Sequence, residues 1–183
     1  EETAQKRLIP YIPQIVNTIS RCFDIYRHKN LLILYDAIGT LAESVNEALA
    51  NPDFVGKLIL PLLRFWHDME DDDRKMHPLM AAITVTGSYV KKCMSPYAEA
   101  IVKRCVAIVH TSYKSIQEDG ANQTETKRFV VTALDCISGM IEALGEDISY
   151  LLSNDEFFSM LNICLTDPKG DVKQVAFGVI GDM

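Results

Sequence analysis

Apolar residues recur every three or four positions along almost the whole chain, and nowhere do they alternate long enough to read as a strand. Ile12, Ile15, Val16, Ile19, Cys22, Phe23 and Tyr26 form one such stripe, which predicts a first helix from about Leu8 to Arg27. His28-Lys29-Asn30 makes a turn. A second helix follows over about Leu31–Ala50, ended by Asn51-Pro52 because the residue before a proline avoids helical geometry. A third covers about Asp53–Met69, with Pro61 expected to kink it. A fourth runs over about Pro78–Cys93. Ser95-Pro96 reads as N-cap and first residue of a fifth, reaching about Gln117. The polar stretch Glu118 to Thr126, with Gly120, reads as a loop. The sixth helix spans about Lys127–Leu144 and stops at Gly145. Asn154 caps a seventh over about Asp155–Leu165. Asp167-Pro168-Lys169-Gly170 is a turn, and Asp171 is expected to cap an eighth.

The even-numbered helices superpose. The segments Leu34–Glu43, Leu79–Ser88, Ala133–Glu142 and Val175–Asp182 share one frame, at offsets of 45, 54 and about 43 residues. Ile38, Ile83, Ile137 and either Val179 or Ile180 hold its central apolar position, and small residues follow one to three places on. A period of roughly 40–47 residues with two helices per unit is that of HEAT-type repeats. The chain is therefore expected to be an all-α superhelix, a HEAT-repeat solenoid of about four antiparallel helix pairs. The repeats fall at approximately 8–50, 53–94, 96–145 and 154–183, and together form a single array over 1–183. One helix pair cannot bury its own apolar stripe, so stacking supplies the core. The competing architecture is a single helical bundle. The chain lacks an initiator Met and ends within an apolar pattern, which reads as a piece of a longer protein whose last pair is truncated.

In this frame the even helices expose polar residues at matching places. The second helix offers Asp36, Thr40, Glu43 and Glu47 on one face. The sixth offers Asp135, Gly139 and Glu142, and the eighth offers Asp182 where the second has Thr40. The fourth interrupts the series with Ala81, Thr84, Val85 and Ser88. An acidic strip of this kind suits an extended basic peptide, since carboxylates pair with Lys and Arg while hydroxyls bond peptide backbone. The plainer reading is a solvated helix face.

Charge supports the first reading against other partners. The net charge is −7 and basic residues are scattered, whereas nucleic-acid binding needs clustered Lys and Arg. No apolar run approaches the roughly 18–20 residues of a membrane span, so neither nucleic acid nor membrane insertion is expected. Five cysteines without metal or redox spacing read as reduced, buried thiols. The sole tryptophan, Trp66, ends an odd-numbered helix and reads as a packed aromatic rather than an interface anchor. Glu70 to Asp73 lacks the register of a calcium loop and reads as a solvated turn. His28, His67, His77 and His110 show no metal-ligand spacing, so no metal or cofactor is expected. Phosphate loops and nucleophile motifs are missing too, and Asn122-Gln123-Thr124 reads as a chance sequon.

The block His28-Lys29-Asn30-Leu31-Leu32-Ile33-Leu34-Tyr35-Asp36-Ala37-Ile38-Gly39-Thr40-Leu41-Ala42 resembles a central segment of the transportin branch of the importin-β (karyopherin-β) family. The likeness continues through Arg104-Cys105-Val106, Ala133-Leu134-Asp135, Ser138-Gly139 and Phe177 to Asp182. The resemblance implies a nuclear import receptor built of HEAT repeats, shuttling between cytoplasm and nucleus. It implies cargo proteins with basic, Pro-Tyr nuclear localisation signals as partners. It also implies the Ran GTPase, engaged mainly by repeats outside this segment, and nucleoporins as further partners. Carried over by position, Asp36, Thr40, Glu43, Asp135 and Asp182 face cargo, and Ala81 departs from the acidic character expected at its place. The family's cargo-packing tryptophans and its long acidic release loop lie outside this segment. A HEAT scaffold, for example a phosphatase regulatory subunit, is the alternative of the same architecture; no residue constellation supports an enzyme.

Overall fold

The computed structural model describes residues 2–27, 29–71, 73–118 and 123–183, and these are helical with no strand among them. Ten α-helices follow one another: α1 (Glu2–Leu8), α2 (Ile12–Ile25), α3 (Lys29–Val45), α4 (Pro52–His67), α5 (Met76–Val90), α6 (Ser95–Glu118), α7 (Gln123–Leu144), α8 (Ser149–Leu152), α9 (Asp155–Leu165) and α10 (Gly170–Asp182). They form two layers. In one, α3, α5, α7 and α10 lie side by side in chain order; in the other, α2 packs on α4 and α6 on α9. The sequence frame had matched these first four helices, and the architecture is the stacked-hairpin solenoid expected from it.

Each helix presents its stripe to the space between the layers. On α2, Ile12, Val16, Ile19 and Phe23 are buried at helical spacing. Ile38, Ile83, Ile137 and Val179 are all fully buried, whereas Ile180 is 44% exposed, so Val179 holds the central position in α10. On that register Asp182 falls one place beyond the equivalent of Thr40.

Caps fix several boundaries. Asn51, with extended backbone, accepts from the amides of Asp53 (2.9 Å) and Phe54 (3.4 Å), and Pro52 occupies the first turn of α4. Asn154 likewise accepts from the Phe157 amide at 2.9 Å. The three stacked helices α3, α5 and α7 end alike, on a residue with positive φ followed by a 3-10 turn. Those residues are Asn46 (50°), Lys91 (47°) and Gly145 (57°). Glycine takes that conformation without steric cost and asparagine tolerates it, so Lys91 is the one of the three that gives no sign of it in the sequence.

Several expected boundaries differ. The first helix is not continuous from Leu8 to Arg27: a 3-10 turn at Ile9–Tyr11 separates α1 from α2. Pro10 and Pro13 lack the amides an unbroken helix would need there. α1 instead reaches across to α3, where Gln5 Nε2 donates to the Val45 carbonyl at 3.2 Å and satisfies a helix-end acceptor. Ser95 is not an N-cap; its backbone is already helical (φ −46°, ψ −45°) because the 3-10 turn Lys91–Met94 feeds straight into α6. Asp171 is not the cap of α10 either. It lies in the first turn, where its charge suits the helix dipole, and Lys169 occupies the cap without a side-chain bond. The expected loop over 118–126 is shorter, since α6 extends to Glu118 and α7 begins at Gln123. Asn122 of the sequon lies outside the described residues, as does His28.

The run from Glu70 is more than a solvated turn. Asp71 pairs with Arg104 of α6 at 2.6 Å, and Arg104 also donates to the Met69 carbonyl at 3.1 Å. Asp73 accepts from the Lys75 amide at 2.9 Å and from its ammonium at 3.1 Å. Burial alone would raise the Asp73 carboxyl, but these Lys75 bonds outweigh it and hold the group below its ordinary range. Asp72 lies outside the described residues.

Close approach between stacked helices depends on Gly139. A Cβ there would sit 2.7 Å from Thr84 Cγ2 on α5. Thr84 is β-branched and its hydroxyl is engaged with the Met80 carbonyl at 3.0 Å, so it has no free rotamer to retreat into. Gly139→Ala is therefore expected to lower stability by about 1–3 kcal/mol through overpacking, despite alanine's better helix propensity. Adding Thr84→Ser, which deletes the clashing methyl, should restore much of the loss. Urea denaturation of the single and double variants checks this.

Candidate functional site

The exposed edges of α3, α5, α7 and α10 bound two adjoining grooves. The smaller, about 190 Å³, lies between α3 and α5 and is lined by Tyr35, Asp36, Gly39, Thr40, Glu43, Pro78, Ala81, Ala82 and Val85. A Cβ at Gly39 would make only ordinary contact with Val85, at 3.8 Å, so the spacing here would also admit alanine. Tyr35 forms its inner wall. It is 1% exposed, and burial, with the charge of Asp73, pushes its phenol up to about 12.

The larger groove, about 690 Å³, lies between α5, α7 and the start of α10. Pro78, Ala81, Val85 and Val131 supply apolar surface; His77, Thr84, Arg128, Thr132, Asp135, Lys169 and Asp171 supply polar groups. Pro78, Ala81 and Val85 line both grooves, so α5 is a low ridge within one continuous surface. Its small and apolar residues, which interrupt the polar series in the sequence, form that ridge.

Asp36, Thr40 and Glu43 thus line the first groove and Asp135 the second. Asp36, Glu43 and Asp135 form no ion pair among the described residues; Glu47, expected on the same face, instead lies in the 3-10 turn after α3, where it pairs with Lys91 at 3.5 Å. Partial burial raises the Asp135 carboxyl above its ordinary value, as expected for a carboxylate with no cation to hold its charge. Asp182 is set apart. It lines neither groove, and its carboxylate accepts a short hydrogen bond from Ser138 of α7.

The second groove also holds cations. Arg128 lies more than a turn before its matched window, His77 two residues before its own, and Lys169 in the turn leading to α10, so the repeat frame does not include them. The surface is therefore acidic at α3 and mixed at α7. His77 stacks on Phe129 with ring centroids 4.3 Å apart. The Thr132 hydroxyl donates to the Arg128 carbonyl at 2.9 Å, so it must accept from His77 Nδ1 at 2.8 Å. Nε2 of the neutral ring is then a buried acceptor without a protein partner. Burial first, and the Arg128 charge second, depress the His77 pKa; Glu125 opposes them.

Among the described residues no three His, Cys, Asp or Glu side chains gather as a metal site, and no helix is long and apolar enough to cross a membrane. All five cysteines are free thiols, with Cys105, Cys136 and Cys164 buried.

No family model matches the chain. It is similar over its whole length to Transportin-1 of Homo sapiens, with 34% identity over 187 residues that make up 21% of that protein. Importin subunit beta-2 of Schizosaccharomyces pombe shares 34% over 188 residues, and Transportin of Dictyostelium discoideum 31% over 189. The chain spans about a fifth of the length of these curated relatives.

Proposed function

From the likeness along its whole length to transportins and importin subunit beta-2 proteins, we propose that the chain is a stretch of transportin-type sequence and that its grooved face is part of a cargo-binding surface of a nuclear import receptor. Its ligand is an extended, basic nuclear localisation signal of the Pro-Tyr type. Asp36 and Glu43 receive basic side chains in the first groove and Asp135 in the second. Thr40 bonds peptide backbone, and Asp182 extends the surface at the far end of α7. Each helix pair is one repeat of the array, over approximately 8–50, 53–94, 96–145 and 154–183. Ran is engaged mainly by repeats outside this chain, nucleoporins are further partners, and the receptor moves between cytoplasm and nucleus. The role is binding, with no cofactor and no catalytic step.

One observation carries this reading: Asp36, Glu43 and Asp135, carboxylates without a cation partner among the described residues, line one continuous surface with an apolar ridge between them. Unpaired carboxylates at a partly desolvated surface gain most from an incoming Lys or Arg. The surface pairs remain within reach of salt, whose screening length is about 8 Å at physiological ionic strength.

Fluorescence anisotropy with a labelled basic Pro-Tyr signal peptide tests the proposal. Binding should weaken as salt rises, and an Asp36→Lys/Asp135→Lys double variant should lose at least roughly tenfold in affinity, about 1.4 kcal/mol. Equal binding by the variant, or none by the native chain, would overturn the assignment and favour a scaffold that docks folded partners.

A further inference from the structure

The second groove is polarised, and this bears on what can lie in it. Arg128 and Asp135 are both on α7, seven residues apart, and line the same groove. Seven residues make nearly two helical turns, so the two charges share a face and stand about 10.5 Å apart along the axis. Asp135 has no cation partner among the described residues. Arg128 is under-neutralised in the opposite sense. Its one counterion among the described residues, Glu125, lies 3.9 Å away and is also held by Arg74 at 3.1 Å, so two guanidiniums share a single carboxylate. Lys169 and Asp171, facing the same groove, lie 3.8 Å apart and largely offset one another. His77, whose pKa is lowered by burial and by the neighbouring Arg128 charge, adds no charge at neutral pH. Between the two ends lies the apolar surface of Pro78, Ala81, Val85 and Val131.

A ligand carrying only positive charge satisfies Asp135 and meets Arg128 unfavourably. We infer that the segment bound in this groove is zwitterionic: a basic side chain on Asp135 and, about three residues away in extended chain, a carboxylate on Arg128, since each extended residue advances about 3.3 Å. This rests on the cargo-surface reading above and narrows it. The α3–α5 groove, lined by Asp36 and Glu43 and by no basic side chain, selects for positive charge, whereas the α5–α7–α10 groove selects for a charge pair in fixed spacing. Small side chains or an apolar pair between the two charged residues fit the floor.

Two short fluorescent peptides, identical except that the residue three places from a central Lys is Glu in one and Gln in the other, separate the readings. The native chain should bind the Glu peptide roughly fivefold tighter, the scale of one exposed to half-exposed charge pair. Arg128→Gln should abolish that preference, by weakening the Glu peptide and modestly tightening the Gln peptide, whose positive charge no longer meets the guanidinium, and Arg128→Glu should reverse it in favour of a peptide with Lys at that place. Asp135→Asn should weaken both peptides alike. Equal affinity for the Glu and Gln peptides, with Asp135→Asn still weakening both, would sink the paired-charge inference alone. Failure of either peptide to bind the native chain would sink it together with the cargo-surface reading.

Discussion

Truncation of Lys127 to Ala is expected to lower stability by about 3–5 kcal/mol, because it strands a buried carboxylate. The Lys127 ammonium donates to Asp167 Oδ1 at 2.8 Å, and the two side chains are only 7% and 1% exposed. Asp167 also accepts from the Tyr113 hydroxyl at 2.6 Å and the Lys169 amide at 2.7 Å. One carboxylate therefore ties α6, α7 and the turn between α9 and α10 across 40 residues or more of sequence. Breaking one partner of such a pair is costlier than removing both, so Lys127→Met/Asp167→Asn should recover part of the loss. Urea midpoints of the three proteins decide the matter; a loss below about 1 kcal/mol in Lys127→Ala would show that water reaches the carboxylate.

The same site sets an acid limit. Burial works against ionisation of Asp167, but the bonds from Lys127, Tyr113 and Lys169 together outweigh it, and the carboxyl titrates below its ordinary 3.8. Its unfolded form takes up the proton first. The stabilisation is thus complete above the ordinary carboxylate range and is lost as pH falls through and below it. Asp167→Asn should flatten that part of the stability–pH curve. The cluster pushes its other members the opposite way. Burial, then the Asp167 bond, raises the Tyr113 phenol, and burial lifts the Cys164 thiol to about 12.

Trp66→Ala should cost a similar amount, about 3–5 kcal/mol, through the cavity left behind. Trp66 is 1% exposed in the last turn of α4. Its indole Nε1 has no hydrogen-bond partner among the described residues, so the side chain contributes by volume and dispersion. Trp66→Phe, which keeps most of the aromatic bulk and removes the unpartnered N–H, should therefore cost less than half as much. Being the sole tryptophan, Trp66 reports its own burial: native emission should be blue-shifted and move to the red on unfolding. Denaturation of the Ala variant followed by circular dichroism gives the comparison. A Phe variant as unstable as the Ala variant would mean the indole edge makes an essential polar contact.

The chain's own pattern settled the local structure. Helical periodicity, the Asn51 and Asn154 caps, the stop at Gly145 and the matched frames that form the α3–α5–α7–α10 layer all depend on residues within a turn or one repeat of each other, where side-chain chemistry and backbone geometry act directly. The burial of Trp66 follows from its place in an apolar stripe. Tertiary structure decided what depends on how the hairpins stack. The 3-10 segments after α3, α5 and α7 arise where the chain must cross between layers, and one of them begins on Lys91, a residue with no local signal for positive φ. Arg104 meets Asp71, and Lys127 meets Asp167, only because neighbouring pairs lie in register. Asp36, Thr40, Glu43 and Asp135 could be placed on helix faces from spacing alone. That two grooves join them over a ridge of Pro78, Ala81 and Val85, and that Arg128 and Lys169 enter the second groove, is fixed by the lateral offset of one helix on the next, which no periodicity within a single helix encodes.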